Sequence, residues 1–213
     1  IPMRNIKLAL RMLLKTPFVS AVAVLSLALG IGANTAIFSM FDQILLRSLP
    51  VHEPGELVNL SLPGPIQGSD SCNQAGDCTV ILSYPMFRDL ERQQTVLSGI
   101  AGHRTFGASL VIAEEPAIAD GAWVTGSYFS TLGLQPTIGR LLIPEDNEPG
   151  ADNMVAVIGH KLWMDRFGGR PGVLGEPLRI NSLTYTIVGV APQGFTGTTF
   201  GSEPDFFIPK QSR

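Results

Sequence analysis

Three histidines, two cysteines and one run of acids are the side chains that could do chemistry in these 213 residues. His52, His103 and His160 lie far apart in the chain. None stands in an HExxH frame, so no helix presents two imidazoles to one metal. No Gly-x-Ser-x-Gly elbow exposes a nucleophilic serine. No Gly-x-x-x-x-Gly-Lys-Ser/Thr loop cradles a nucleotide, and Gly30-Ile31-Gly32 lacks both a preceding strand and the rest of a phosphate-binding fingerprint. Glu145, Asp146, Glu148 and Asp152 form an acidic cluster. It departs from the spacing of a calcium loop and Pro149 interrupts it, so a solvated loop is the expected reading. Cys72 and Cys78 would close a short loop if the compartment is oxidising. Free thiols are the other reading, and two cysteines without nearby histidines fall short of a zinc site. Trp123 and Trp163 read as core, since aromatic side chains dominate cores. Arg140 either caps a turn or pairs an acid.

What must position these side chains is organised around one uncharged run. Residues 18–41 carry no charge, and the nearest charges are Lys15 and Asp42. That exceeds the roughly 20 apolar residues a helix needs to cross a bilayer. In lipid the backbone must bond to itself, so the run is predicted to be a transmembrane helix with an extension, 18–46. A cleaved signal peptide fits less well, because its apolar region is shorter and its small-residue cleavage site ends the run. A helix buried in a soluble domain fits less well still. Ser26, Gly30 and Asn34 recur every fourth residue and share a face on which a neighbouring helix could approach closely. Ala28, Gly32 and Ala36 form a second such row. Gly and Ala are also simply common in membrane helices, so the spacing alone does not decide.

Charge divides about the same run. Arg4, Lys7, Arg11 and Lys15 precede it with no acid, while all 18 acids lie from Asp42 onward against 11 of the 15 bases. Basic flanks stay on the cytoplasmic side, so the ectodomain is expected outside. The four bases share one helix face, which predicts an interfacial amphipathic helix over 1–17 lying on membrane lipid, bent into the membrane at Pro17. Met3 reads as the natural start. The folded part is acidic and shows no basic stripe, so no nucleic-acid role is expected.

Residues 50–213 read as an ectodomain of mixed strands and short helices without regular βαβ spacing, an α+β fold. Strands are expected at 56–62, 106–112, 117–124, 154–158 and 206–208, and a hairpin at 177–190 around Asn181-Ser182. Helices are expected after Ser83, at 127–132 and at 160–167.

Four stretches carry a resemblance, in order along the chain. They are Leu8-Ala9-Leu10-Arg11 to Phe18 with Leu27 through Phe38, then Ser127-Tyr128-Phe129 with Leu132-Gly133, Pro136 and Gly139-Arg140. Leu162-Trp163 with Arg166-Phe167-Gly168-Gly169 follows, and then Val188-Gly189-Val190-Ala191-Pro192 with Gly194-Phe195. In these the chain resembles a MacB-type ABC transporter permease, specifically an orphan permease with a MacB-like periplasmic core domain. The resemblance implies an N-terminal transmembrane helix followed by a mixed α/β periplasmic core domain, incomplete at its C-terminus, so that the chain reads as a fragment. It implies a non-enzymatic permease subunit in the bacterial inner membrane, with its N-terminus cytoplasmic and its ectodomain periplasmic. It also implies a second permease copy, a cytoplasmic ABC ATPase that binds the ATP, and a periplasmic partner protein; no cofactor is expected in this chain. The function implied is mechanical transmission of ATP-driven motion to the periplasm. A membrane-anchored binding or adhesion module without a transport role is the alternative.

Overall fold

The computed structural model describes residues 15, 17–42, 49–60, 82–112, 114–148, 154–199 and 201–210. The chain forms two compact units, Ile1–Ser48 and Leu49–Arg213.

The first unit contains helix α1, Pro17–Phe41, and none of its residues is buried. Among the described residues it is the one helix long and apolar enough to cross a membrane. Proline at its first position costs no hydrogen bond, because that N–H has no partner inside a helix anyway. Thr35 Oγ1 donates back to the Ile31 carbonyl at 2.8 Å, so this hydroxyl is satisfied within the helix.

Among its described residues the second unit is built on seven strands. Two ten-residue strands, β1 (His103–Ile112) and β2 (Glu115–Val124), pair antiparallel over their whole length. β3 (Ile138–Gly139), β4 (Val155–Ile158), β5 (Pro177–Ile180), β6 (Leu183–Val190) and β7 (Phe206–Pro209) follow. Their order is β3-β6-β4-β7-β2-β1-β5, and β5 also pairs with β6, so the ladder runs round through six strands and returns to its start. The β5–β6 connection is a two-residue turn, with Asn181 at φ 45° and Ser182 at φ 71°. Both central residues of a type I′ hairpin need positive φ, which asparagine tolerates better than most residues.

Burial explains the central position of β4 and β7, every residue of which is buried. A strand alternates its side chains, so apolar residues at every position demand cover on both faces. Ala156, Ile158, Phe206 and Ile208 face one core, capped by Leu162, Trp163 and Phe167. Those three side chains lie on helix α4, His160–Phe167. Val155, Val157 and Phe207 face the other core with Val124, Tyr128, Phe129, Leu142 and Phe195. Tyr128 and Phe129 open the short helix α3, Tyr128–Thr131. Both tryptophans serve packing: Trp163 is buried, and Trp123 stacks on Phe106 at 3.7 Å between centroids.

Helix ends follow the local signals. Ser83 Oγ accepts from the Met86 N–H at 3.4 Å to cap helix α2, Tyr84–Gln93. Gly168 takes φ 62° after α4, and the Gly169 N–H returns to the Trp163 carbonyl at 3.1 Å. The strand expected at 56–62 does not form over its described part. Pro54–Glu56 is instead a single 3-10 turn, entered through Glu53 at φ 49°. Residues 57–60 pair with no strand among the described residues, and Leu57 packs against the second core. The alternation there is real, but an apolar residue needs only something to cover it, and a core does so as well as a sheet.

Candidate functional site

Helix α1 offers a surface and no reactive group. Ser26, Gly30 and Asn34 fall on one stripe, since four residues are little more than one turn. All three are exposed, and a Cβ added at Gly30 would meet nothing within 4 Å. The stripe is therefore open space in this chain, of the kind a second backbone could enter. Lys15 is exposed just before the helix. Arg4, Lys7, Arg11, Cys72 and Cys78 lie outside the described residues.

Asp152 lies outside the described residues, and the rest of the acidic cluster, Glu145, Asp146 and Glu148, is resolved by its middle member. Asp146 is 3% exposed, and its carboxylate accepts two hydrogen bonds from the Arg140 guanidinium, at 2.7 and 2.9 Å. It also accepts from the Ile143 N–H at 3.0 Å, capping the 3-10 turn Pro144–Asn147. A fork-to-fork pair is the strong form of a charge-assisted hydrogen bond. Asp146 pushes the Arg140 pKa further above its ordinary value, mainly through these hydrogen bonds. The expectation of a wholly solvated loop thus fails at Asp146, which is a structural anchor. Beside it, Asn147 Nδ2 donates to the Lys210 carbonyl at 2.7 Å, tying this turn to the end of β7. Arg140 thereby takes the acid-pairing role of the two considered for it.

One polar network was not visible in the sequence. His103 Nε2 lies 2.8 Å from Thr199 Oγ1, and Thr198 Oγ1 lies 3.0 Å from the Tyr128 hydroxyl. The His103 ring also packs at 5.7 Å from the Tyr128 ring. Part of the histidine reaches solvent, but its packing displaces enough water to lower its pKa below the ordinary 6.5. Burial likewise pushes the Tyr128 hydroxyl up to about 12, against an opposing hydrogen bond from Thr198. Neutral imidazole, neutral phenol and two threonines hold no nucleophile–base pair with a charged orienting group. The arrangement pins the loop after β6 to the start of β1. Only the Ser127-Tyr128-Phe129 motif pointed toward it, because Thr198 and Thr199 are 95 and 96 residues away from the histidine.

The other histidines stand apart. His52 lies 3.8 Å from Glu53, both side chains exposed, and His160 packs edge-on to Trp163. Among the described residues no group of His, Cys, Asp and Glu is arranged to hold a metal ion.

The family model described as the MacB-like periplasmic core domain matches residues 20–213. No curated protein matches the chain. Among solved structures, the periplasmic region of MacB from Actinobacillus actinomycetemcomitans is similar at 19% identity and TM-score 0.47, covering 58% of this chain and 52% of that one. The extracellular domain of the noncanonic ABC-type transporter YknZ from Gram-positive bacteria is similar at 15% identity and TM-score 0.46, covering 57% and 59%. A domain of a putative permease protein from Porphyromonas gingivalis is similar at 16% identity and TM-score 0.40, covering 57% and 50%. The matched region spans between 50% and 59% of the length of each of these structures.

Proposed function

The chain belongs to the family of the MacB-like periplasmic core domain, and from that membership we propose that it transmits ATP-driven motion across a bilayer as part of an ABC-type permease. A permease-family role follows from the family itself; the transmission and the partners are the proposal. The observation that carries it is the union, in one chain, of an uncharged helix with no buried residue and a folded domain of this family. Such a helix is stable in hydrocarbon, where its backbone is satisfied internally and its apolar side chains need no protein cover.

ATP would bind a partner ATPase, because this chain carries no phosphate-binding loop. A second permease copy would meet the Ser26, Gly30 and Asn34 stripe. Arg4, Lys7, Arg11 and Lys15 would hold the N-terminus at the cytoplasmic leaflet, leaving the acidic ectodomain outside. Push and pull on α1 would reach the ectodomain through residues 42–50. There it would meet a rigid body, because Val51 and Leu57 pack on the second core and the His52 N–H donates to the Leu132 carbonyl at 3.1 Å.

Topology tests this reading. Single cysteines are placed near Arg4 and near Gly201 in a chain lacking Cys72 and Cys78, and intact cells are treated with an impermeant maleimide. Labelling only near Gly201 is expected, together with co-purification of an ATPase. Labelling at neither site would place the folded part in the cytoplasm and overturn the reading. Labelling near Gly201 with no ATPase partner would favour the anchored binding module.

A further inference from the structure

The two outer margins of the β1–β2 hairpin differ in how they are closed. On the β2 side, Asp205 exchanges bonds with Asp120: its N–H donates to the Asp120 carbonyl at 2.6 Å, and its carboxylate accepts from the Asp120 N–H at 3.1 Å. Even-numbered residues of β2 therefore turn their backbone groups outward. Of the remaining ones Pro116 has no N–H to offer, which blunts that margin as natural edges are usually blunted.

Among the described residues the β1 side is left open. The Asn181 N–H donates to the Ser109 carbonyl at 2.9 Å, and Asn181 Oδ1 accepts from the Ser109 N–H at 2.9 Å. Odd-numbered residues of β1 thus face away from β2. Pairing with β5 covers Leu110 and Val111 and does not continue past Ser109. Thr105 and Gly107 point the same way, and among the described residues no hydrogen bond reaches their outward N–H and C=O groups. Gly107 is exposed, and a Cβ added there would meet nothing within 4 Å. No proline, lysine or bulge protects this stretch.

The side chains beside that edge have a sign. Arg104 pairs across the ladder with Trp123, and Phe106 with Gly121, so all four share one face. Phe106 stacks on Trp123, and Lys210 Nζ lies 5.6 Å from the Trp123 centroid. Arg104 and Lys210 are exposed, and neither forms an ion pair with a described acid. These two cations sit in a region, from Asp42 onward, with 18 acids against 11 bases. An aromatic ledge with two cations that no described acid pairs, next to a strand edge that no described strand covers, specifies its complement.

We propose that the Thr105 and Gly107 edge of β1 takes an added strand from a partner protein, with a carboxylate opposite Arg104 and an apolar side chain opposite Phe106. Main-chain hydrogen bonds at Thr105 and Gly107 supply the attachment, and the alternating side chains supply the selection. Phe106 turns its own backbone toward β2, so on the new side it occupies a non-hydrogen-bonded position, where facing side chains approach most closely. The inference rests on the strand ladder and its charges, and does not depend on a transport role.

The probe is a dye-labelled extended peptide that alternates threonine with a Glu-x-Val face, titrated against the full chain in zwitterionic nanodiscs. Binding is read by anisotropy, and protection of the Thr105 and Gly107 amides by hydrogen exchange. Saturable binding is expected, weakened roughly tenfold by methylating the peptide amides that would face β1, since two or so hydrogen bonds are lost. Arg104→Glu is expected to weaken it at least as much, and Arg92→Glu on α2 to leave it unchanged. The methylated peptide leaves the protein untouched, so a folding defect in the Arg104 variant cannot mimic the result. Equal binding of the methylated peptide would overturn the proposal in favour of charge attraction alone. Protection of both amides in a dimer without peptide would overturn it in favour of a second copy of this chain.

Discussion

Helix α1 and the paired strands β4 and β7 are both almost wholly apolar, yet no residue of α1 is buried while every residue of β4 and β7 is. The difference lies in who satisfies the backbone. A helix closes its hydrogen bonds within itself and can leave its side chains to lipid. A strand must borrow partners on both sides, so an apolar strand is drawn to the middle of a sheet and its side chains are covered above and below. Apolar composition therefore does not predict burial; periodicity and length decide where the cover comes from.

Substitutions can break that comparison in the ectodomain and spare it in the helix. Phe207, fully buried among the rings of Tyr128, Phe129 and Phe195, should give the largest effect. Phe207→Ala is expected to cost about 3–5 kcal/mol of ectodomain stability, read as a shift in the denaturation midpoint followed by Trp163 fluorescence. A loss under about 1 kcal/mol would mean that the second core is loosely packed.

Asp146→Ala comes next, at roughly 2–3 kcal/mol in the same assay, because Arg140 is part-exposed and can recover water. The companion Glu148→Ala, in the same acidic run but without the buried carboxylate, should change the midpoint by less than about 0.5 kcal/mol. Equal effects from the two would return the cluster to a solvated loop.

Acid gives a smaller, graded loss. The folded state holds His103 with a lowered pKa, so below the ordinary value near 6.5 the unfolded chain binds more protons than the folded one. Stability should hold above that value, fall as pH drops through it, and stop falling from this source once the folded pKa is passed. His103→Gln is expected to flatten that slope in denaturation curves taken across the window; an unchanged slope would assign it elsewhere.

Gly30→Leu should leave the ectodomain midpoint within about 0.5 kcal/mol of the starting chain, since a Cβ at this exposed position meets nothing within 4 Å. It should still reduce cysteine crosslinking between neighbouring copies of α1, because a leucine blocks close backbone approach. Unchanged crosslinking would remove the stripe from the contact.

Local signals are legible where the deciding residues are neighbours in sequence. Ser83 and Pro85 start α2, Gly168-Gly169 stop α4, and Asn181-Ser182 turn β5 into β6, all from contacts within a few positions. Strands β1, β2, β4 and β7 were legible from β-branched and aromatic runs, with boundaries shifted by a few residues at most. What escaped depends on partners far along the chain. β3 is two residues long and exists because Ile138 and Gly139 meet Val190 and Gly189 on β6. The His103 network needs Thr198 and Thr199, and the open edge of β1 is defined by where β5 stops. Pairing across such separations has no local signature, so neither periodicity nor turn chemistry could announce it.

Among the described residues, the last strand in sequence is also one buried at every position. β7 lies between β4 and β2, parallel to β2 and antiparallel to β4, and contributes Phe206 and Ile208 to one core and Phe207 to the other. As the polypeptide is synthesised from its N-terminus, residues up to about 200 can form the β1–β2 hairpin and the β5–β6 hairpin, which close locally and fast. The β1–β5 pairing can join those two hairpins, but the gap between β2 and β4 stays open until residues 206–209 have emerged. Up to that moment both cores lack one of their shared strands, and apolar surface on β2 and β4 is exposed to any chaperone or aggregating neighbour. Closing the domain is thus a late, long-range event set by translation or export, and a nascent chain stalled before Phe206 should remain protease-sensitive throughout.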